Sequence, residues 1–267
     1  MPTIQPSGRA LGACVTGIDL AQPISPDAAA RLRTALWDHC VLHFPGQKLS
    51  ERAQVDFTRI FGEPMVHVRP QAGEHEPGIF VISNVTENGE PIGALGSGHI
   101  GFHSDLAYLP EPGTISTLYA REVPGSGGQT TWASGYAAYE ALDADTKTRL
   151  TGLRATHKHT TESLNPAEIT DHPLVCRHPE SGRQTLFVTP LFTREILGLE
   201  AEEGEPLLAR LAAHSTDERF TWTHNWQTED LIVWDNRATQ HSRAAFSDTA
   251  RRIMTRTQIF NDRRPVA

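Results

Sequence analysis

The sequence predicts a mainly β fold with flanking helices (α+β), built around a jelly-roll core. Most apolar residues fall in short runs bounded by turn residues, which is typical of strands in an antiparallel sandwich. Patterns with helical spacing are confined to a few inserts. Neither an internal repeat nor a Pro/Gly/Ser-rich linker divides the chain, so residues 1–267 are expected to form one domain.

The first helix is expected to begin after Ser25, because serine followed by proline is a common helix start. The apolar positions that follow recur at helical spacing, at Ala29, Leu32, Leu36 and Cys40. The apolar run Val41 to Phe44 predicts a buried strand. Ser50 is expected to cap a second helix that ends near Gly62.

The remaining elements follow from short runs of strand-forming residues and from three helical patterns. The predicted strands are Ile79 to Ile82, Ile115 to Ala120, Thr130 to Trp132, Leu174 to Cys176, Leu186 to Val188, Phe220 to Thr223, Leu231 to Trp234 and Arg252 to Ile259. The predicted helical inserts are Tyr136 to Leu142, Asp143 to Leu150 and Pro206 to His214.

The amino-acid composition limits which binding partners and which cellular compartment can be expected for this protein. The net charge of −8 excludes a broad basic surface for nucleic acid, so any anionic ligand must be held by local arginines. The isolated cysteines Cys14, Cys40 and Cys176 argue against a disulfide framework and a Cys-rich zinc site. The sequence has no signal-peptide pattern and no run near the roughly 18 apolar residues of a membrane span. We therefore expect a cytoplasmic protein with no membrane partner.

His103-Ser104-Asp105, together with His241 far downstream, supplies the residue types of a non-haem iron site. Two neutral imidazoles and one carboxylate on one face of Fe(II) leave the opposite face open. At a strand end or tight turn, His-x-Asp places both side chains on one side, because the strand period is two. The triplet alone is a weak signal, since such matches also arise by chance. A zinc hydrolase with the same three ligands and a catalytically silent ligand-binding protein are the alternatives.

The segment Trp234-Asp235-Asn236-Arg237-Ala238-Thr239-Gln240-His241 and the arginines after it resemble the taurine dioxygenase/2,4-dichlorophenoxyacetate dioxygenase family of Fe(II)- and 2-oxoglutarate-dependent enzymes. The resemblance covers nearly the whole chain, including Gly12 to Leu20, Phe61-Gly62-Glu63, Gly127 to Trp132 and His178 to Arg183. It implies a double-stranded β-helix whose mouth holds iron on His103, Asp105 and His241. The implied cofactors are Fe(II), the co-substrate 2-oxoglutarate and O2.

Two arginines of the last predicted strand, Arg252 and Arg256, share one face and lie about 14 Å apart along it. We assign Arg252 to the distal carboxylate of 2-oxoglutarate, because the planar guanidinium can bind a carboxylate through two hydrogen bonds. The resemblance implies that Thr130 shares this role, and that Arg256 matches the residue that meets the sulfonate in taurine dioxygenase. The alternative is that both arginines form surface salt bridges.

The resemblance also suggests residues of the substrate pocket. His67 matches a histidine that contacts the substrate in taurine dioxygenase, and Phe192 matches an aromatic pocket wall. His99 stands where that enzyme has a substrate-contacting asparagine, and Pro70 where it has a tyrosine, which argues against taurine itself as the substrate. Taken alone, each of these residues is equally well explained as a solvated or core residue.

The sequence therefore predicts a 2-oxoglutarate-dependent non-haem iron dioxygenase. The expected reaction oxidises a C–H bond of a small anionic molecule, chiefly by hydroxylation, and releases succinate and CO2. The anionic group of the substrate is expected to be a carboxylate, sulfonate, sulfate or phosphonate. A homo-oligomer is compatible with the resemblance.

Overall fold

The structure, a computed structural model, describes residues 1–66, 71, 73–260 and 263–267. The strands within these ranges are β1 Thr3–Pro6, β2 Ala13–Thr16, β3 Val41–Phe44, β4 Phe80–Ser83, β5 Thr86–Glu87, β6 Glu90–Pro91, β7 Ile100–His103, β8 Gly113–Glu122, β9 Thr130–Ser134, β10 Arg154–His157, β11 Thr170–Pro173, β12 Val175–Arg177, β13 Gln184–Leu186, β14 Thr193–Ile196, β15 Thr221–His224, β16 Leu231–Asp235, β17 Thr239–Arg243 and β18 Ile253–Phe260. The α-helices are α1 Pro26–His39, α2 Glu51–Thr58, α3 Gly135–Glu140, α4 Ala144–Leu150 and α5 Ala201–Ser215.

Serine side chains cap the first two helices, as the sequence predicts. The Ser25 hydroxyl accepts a hydrogen bond from the backbone N–H of Ala28 at 3.3 Å, and that of Ser50 accepts one from Ala53 at 3.1 Å. These bonds satisfy N–H groups that have no partner within the first turn of a helix. Helix α1 ends at Cys40, whose φ of 64° lies in the left-handed region that terminates helices.

Two sheets form the jelly roll. The larger has the strand order β1-β2-β3-β16-β8-β18-β4, and the smaller has the order β15-β9-β17-β7. The pair β2–β3 is parallel, and the other pairs within these two sheets are antiparallel. An apolar cluster that draws on both sheets fills the space between them, with Trp132 on β9, Trp234 on β16 and Met254 on β18. The predicted mainly β fold with a jelly-roll core is confirmed.

Helices and small sheets flank this core. Helices α1 and α2 contribute Leu32, Leu36 and Phe57 to a second apolar cluster on the larger sheet. Helices α3, α4 and α5 share a third cluster with the sheet β11-β10-β14. A smaller cluster joins the segment after β7 to the segment before β14 through Tyr108 and Phe192.

Two differences from the predicted elements have clear physical reasons. Helix α5 begins at Ala201 rather than at Pro206, because the proline lies inside the helix instead of at its start. Strand β17 was not predicted, since its sequence Thr-Gln-His-Ser-Arg is polar although all five residues are buried. Apolar periodicity cannot reveal a strand whose inward residues serve a polar site.

The described residues include no helix that combines the length and apolarity required to cross a bilayer. The cysteines Cys14, Cys40 and Cys176 are free thiols.

Candidate active site

The two histidines predicted to bind iron lie opposite each other on neighbouring strands. His103 is the last residue of β7 and is the register partner of His241 on β17. Their ring centroids are 4.2 Å apart. Asp105 follows two residues after the end of β7, in the turn that leads away from the sheet. The sheet register thus brings together residues that are distant in the sequence.

The ligating atoms converge. Nε2 of His103 lies 3.8 Å from Oδ1 of Asp105, and Nε2 of His241 lies 3.9 Å from the same oxygen. One ligand atom from each residue falls within 4.8 Å of the other two. The three side chains are therefore close enough to share one metal ion.

Hydrogen bonds orient His103 and Asp105, whereas Nδ1 of His241 is buried without a hydrogen-bond partner among the described residues. Nδ1 of His103 donates to the carbonyl oxygen of Gly101 at 2.8 Å, which leaves the Nε2 lone pair free for a metal. The Ser116 hydroxyl donates to Oδ2 of Asp105 at 2.7 Å. The Asn236 amide donates to Ser116 at 2.9 Å and accepts from the backbone N–H of Asp105 at 3.2 Å. Sequence reasoning missed Ser116 and Asn236 as supporting residues, although Asn236 stands within the quoted Trp234 to His241 segment.

The electrostatics of the cluster suit metal binding. Burial lowers the pKa of His241 to about 3 and also lowers the pKa of His103, so both rings are neutral imidazoles at physiological pH. Burial opposes ionisation of Asp105, but His241, Arg256 and His103 together hold the pKa of its carboxyl well below the usual value. Two neutral imidazoles and one carboxylate are the donor set that a non-haem Fe(II) ion takes.

Arg252 is a buried cation that has no acidic partner among the described residues. It is 2% exposed, and its Nε atom has no hydrogen-bond partner among the described residues. Burial, together with the charge of Arg243, lowers the pKa of its guanidinium to about 9. No described carboxylate lies within ion-pair distance of Arg252. An anionic group would relieve the cost of burying this charge.

Thr130 and Gly128 border the region around the Arg252 side chain. The hydroxyl of Thr130 accepts a hydrogen bond from Nε1 of Trp226 at 2.9 Å, so its own proton remains available for an acceptor. Thr130 is also the register partner of Arg243, whose charge acts on Arg252. Gly128 has a φ of +71°, and a Cβ atom there would lie 3.6 Å from Nε of Arg252. The backbone of this segment therefore packs closely against the Arg252 side chain.

Arg256 faces the metal cluster from β18. Its Nη1 atom lies 3.6 Å from Oδ1 of Asp105, and its side chain is 15% exposed. Gln258 shares this face, since its amide lies 3.4 Å from the Ser116 hydroxyl, whereas the Thr255 hydroxyl on the opposite face donates to Gln54 on α2. The predicted alternation of the strand is present. Asp105 therefore supplies a counter-charge to Arg256 within the protein.

The other predicted pocket residues differ in position. Phe192 is buried and meets the His103 ring edge to face, with centroids 5.7 Å apart. Tyr108 and His159 extend this aromatic wall at 5.2 Å and 5.4 Å from Phe192. His99 is exposed just before β7. His67 and Pro70 lie outside the described residues.

Sequence reasoning missed Tyr108 and His159 as parts of this wall. Neither residue belongs to a motif, and only the packing of the segments after β7 and β10 brings them to Phe192. His159 follows β10 in a polar stretch of the sequence, yet it is half-buried.

The sequence profile of the taurine catabolism dioxygenase TauD, TfdA family matches residues 3–258. The chain belongs to the TauD/TfdA family. This membership confirms the resemblance stated from the sequence and the dioxygenase class that the resemblance implies. Within the family's fold, the His103, Asp105 and His241 cluster lies at the open end formed by β7 and β17.

Members and relatives of the TauD/TfdA family match over almost their full length. Pentalenolactone F synthase of Streptomyces avermitilis is 32% identical, over 96% of this chain and 93% of its own. The (S)-phenoxypropionate/alpha-ketoglutarate-dioxygenase of Sphingobium herbicidovorans is 31% identical, over 97% of this chain and 95% of its own. The crystal structure of a taurine dioxygenase from Burkholderia xenovorans superposes with a TM-score of 0.86 at 32% identity, covering 100% of this chain and 91% of that one.

Proposed function

We propose that this dioxygenase binds Fe(II) through His103, Asp105 and His241 and binds 2-oxoglutarate through Arg252 and Thr130. The cofactor prediction of Fe(II), 2-oxoglutarate and O2 agrees with the names of the alpha-ketoglutarate-dependent relatives and with the His-Asp-His cluster. The observation that carries the proposal is the combination of this cluster with Arg252, a buried guanidinium that has no described acidic partner. A zinc hydrolase would leave that arginine without a role, so this alternative is not favoured.

Each side chain has a defined task in the proposed reaction. Bound Fe(II) would supply the activation of O2, coupled to decarboxylation of 2-oxoglutarate to succinate and CO2. The Gly101 carbonyl fixes the tautomer of His103, and Ser116 fixes the orientation of Asp105. Arg252 neutralises the distal carboxylate of 2-oxoglutarate and Thr130 donates its hydroxyl proton to it. The complete set of ligands argues against a catalytically silent binding protein.

The proposed substrate is a small organic anion whose C–H bond is hydroxylated. Arg256 offers a guanidinium beside the metal cluster, and its side chain is partly accessible. Because Arg256 already contacts Asp105, a substrate anion would share this cation rather than supply its first counter-charge. Phe192, Tyr108 and His159 provide an aromatic wall next to His103. The Sphingobium relative acts on a phenoxypropionate, a carboxylate with an aromatic ring, which fits such a pocket.

The proposal also includes the sequence predictions for His99, for His67 and for a single domain. His99 is exposed near the start of β7, so it would meet the substrate only at the rim of the pocket. The role of His67 remains a prediction from the resemblance. Residues 1–267 are proposed to act as one catalytic domain, since β1 and β18, from opposite ends of the chain, belong to the same sheet.

The test is anaerobic titration of the purified protein with Fe(II) and 2-oxoglutarate, followed by a screen of small acids for substrate-dependent succinate formation. We expect a weak visible charge-transfer band from wild type and none from Asp105→Ala. Asp38→Ala, which removes an exposed carboxylate on α1, serves as the matched control and should keep the band. A wild-type protein that forms no band and consumes no O2 with 2-oxoglutarate would contradict the proposal.

A further inference from the structure

A second group of two histidines and one aspartate lies outside the active site. His43 on β3, His224 on β15 and Asp230 just before β16 place their ligating atoms within 4.8 Å of one another. Nε2 of His224 lies 2.8 Å from Oδ2 of Asp230, and Nε2 of His43 lies 3.1 Å from Oδ1. We propose that these three residues bind a late first-row divalent cation of the Zn(II) type.

The aspartate is a buried carboxylate that accepts hydrogen bonds from His224 and Gln227. Asp230 is 3% exposed, and its ion-pair partners among the described residues are the two histidines. Burial lowers the pKa of His224, so this ring is neutral at physiological pH and offers the carboxylate little charge. Oδ2 accepts hydrogen bonds from His224 and from the backbone N–H of Gln227 at 2.9 Å. A divalent ion would offset the cost of burying the carboxylate.

His43 supplies an unused ligand atom. Its Nε2 atom is buried and makes no hydrogen bond among the described residues, although Oδ1 of Asp230 is only 3.1 Å away. The ring nitrogen is therefore near the carboxylate but not directed at it. Its lone pair is available to an ion between the three side chains. Binding would exchange the His224–Asp230 hydrogen bond for coordinate bonds from both residues.

The donor set selects the class of metal. Two imidazole nitrogens and one carboxylate oxygen suit Zn(II) and its first-row neighbours, whereas Mg(II) and Ca(II) prefer oxygen ligands. Three protein ligands leave the fourth tetrahedral position to water. The side chains of His43 and His224 are 17% and 9% exposed, so the group lies close to the protein surface.

The site would join the two sheets of the roll. His43 belongs to the larger sheet and His224 to the smaller. The ring of His224 meets Trp226 edge to face at 5.0 Å, and Trp226 donates its indole hydrogen bond to Thr130. A cation at this position would therefore fix β15 against β3 next to the proposed binding site of 2-oxoglutarate.

The deciding measurement is metal stoichiometry. Wild type, Asp105→Ala, His43→Gln and His224→Gln are loaded with Zn(II), dialysed and analysed by elemental mass spectrometry. We expect two Zn(II) per chain in wild type and one in each variant. The double variant Asp105→Ala/His224→Gln should hold none. His75→Gln, which alters a histidine paired with Glu51 outside both groups, is the matched control and should hold two.

A second readout separates the two sites. Co(II) added to Asp105→Ala reports only the second site, and its visible bands should disappear in Asp105→Ala/His43→Gln. Circular dichroism shows whether each variant is folded. Because two independent histidine variants are measured, the misfolding of one variant would not invalidate the test. One Zn(II) per wild-type chain, or a second Zn(II) that survives both His43→Gln and His224→Gln, would overturn the proposal and leave a hydrogen-bonded cluster without an ion.

Discussion

The hydroxyl of Ser116 on β8 donates a 2.7 Å hydrogen bond to Oδ2 of Asp105, and this bond leaves Oδ1 as the oxygen that faces His103 and His241. The larger sheet therefore orients a ligand of a cluster whose two histidines stand on the smaller sheet. Asn236 fixes Ser116 in turn through its side-chain amide. The geometry of the metal ligands depends on hydrogen bonds that cross the interior of the roll.

We predict that Ser116→Ala weakens Fe(II) binding by about 10- to 100-fold, the usual effect of removing a group that orients a metal ligand. The variant frees the Asp105 carboxylate to rotate and leaves the Asn236 amide without its acceptor. Activity measured against Fe(II) concentration gives the apparent affinity. Ser247→Ala, at an exposed serine, should match wild type. Unchanged iron affinity in Ser116→Ala would show that the carboxylate is oriented by other contacts.

We predict that Arg252→Ala raises the dissociation constant of 2-oxoglutarate about 10- to 100-fold, because a charge-assisted hydrogen bond is worth roughly 1.5–3 kcal/mol. Iron affinity should change little, since Arg252 makes no contact with the three metal ligands among the described residues. Anaerobic titration of the visible band measures both quantities. The neighbouring Arg251→Ala is a close control, because Arg251 is exposed and pairs with Glu122. Equal 2-oxoglutarate affinities in the two variants would place the carboxylate site elsewhere.

We predict that Arg256→Gln raises KM for an acidic substrate far more than it raises KM for the amide of that substrate. The guanidinium that Asp105 and the substrate share is lost, so only the charged compound loses an attraction. Steady-state kinetics give the KM of the acid and the KM of the amide in wild type and in Arg256→Gln. If wild type converts both compounds with equal KM, Arg256 serves Asp105 alone.

We predict that acid destabilises the fold partly through His172. Burial lowers the pKa of this ring to about 4, although hydrogen bonds to the Ala107 and Leu109 carbonyls oppose the shift. The folded-state pKa is below the unfolded value of about 6.5, so the contribution is complete above pH 6.5 and is lost as the pH falls towards 4. The loss reaches about 2 kcal/mol at pH 5.

Urea unfolding of wild type and His172→Gln between pH 5 and pH 7 tests this prediction. The glutamine can keep a donor for the carbonyls but does not titrate, so its free energy of unfolding should change less with pH. Parallel curves for the two proteins would show that His172 has the same pKa in the folded and unfolded states.

Sequence patterns predicted the parts of this molecule that depend on local chemistry. Ser25 and Ser50 cap helices because a serine hydroxyl satisfies a nearby N–H, and this requires no tertiary contact. The alternation of β18 placed Arg256 and Gln258 on the site face for the same local reason. The proposed ligands His103, Asp105 and His241 were predicted from residue type and resemblance, and the structure brings the three side chains together.

The features that the sequence did not reveal depend on distant partners. His157 lies in a polar stretch of the sequence, yet it is 2% exposed, because β10 pairs with both β11 and β14. The contact between Arg256 and Asp105 joins β18 to the turn after β7 and has no local signature. The group of His43, His224 and Asp230 was missed for the same reason, since its residues belong to no contiguous motif.

The position of β18 has a consequence for biosynthesis. This strand follows the other strands of its sheet in the sequence, yet it lies between β8 and β4 rather than at an edge of that sheet. Until it emerges, β8 and β4 each expose an unpaired edge, which is a site for aggregation. Arg252 and Arg256 are also synthesised only at this stage. We therefore expect the nascent chain to leave β8 and β4 unpaired until β18 has been synthesised, so that iron and 2-oxoglutarate are acquired only after β18 has joined the sheet.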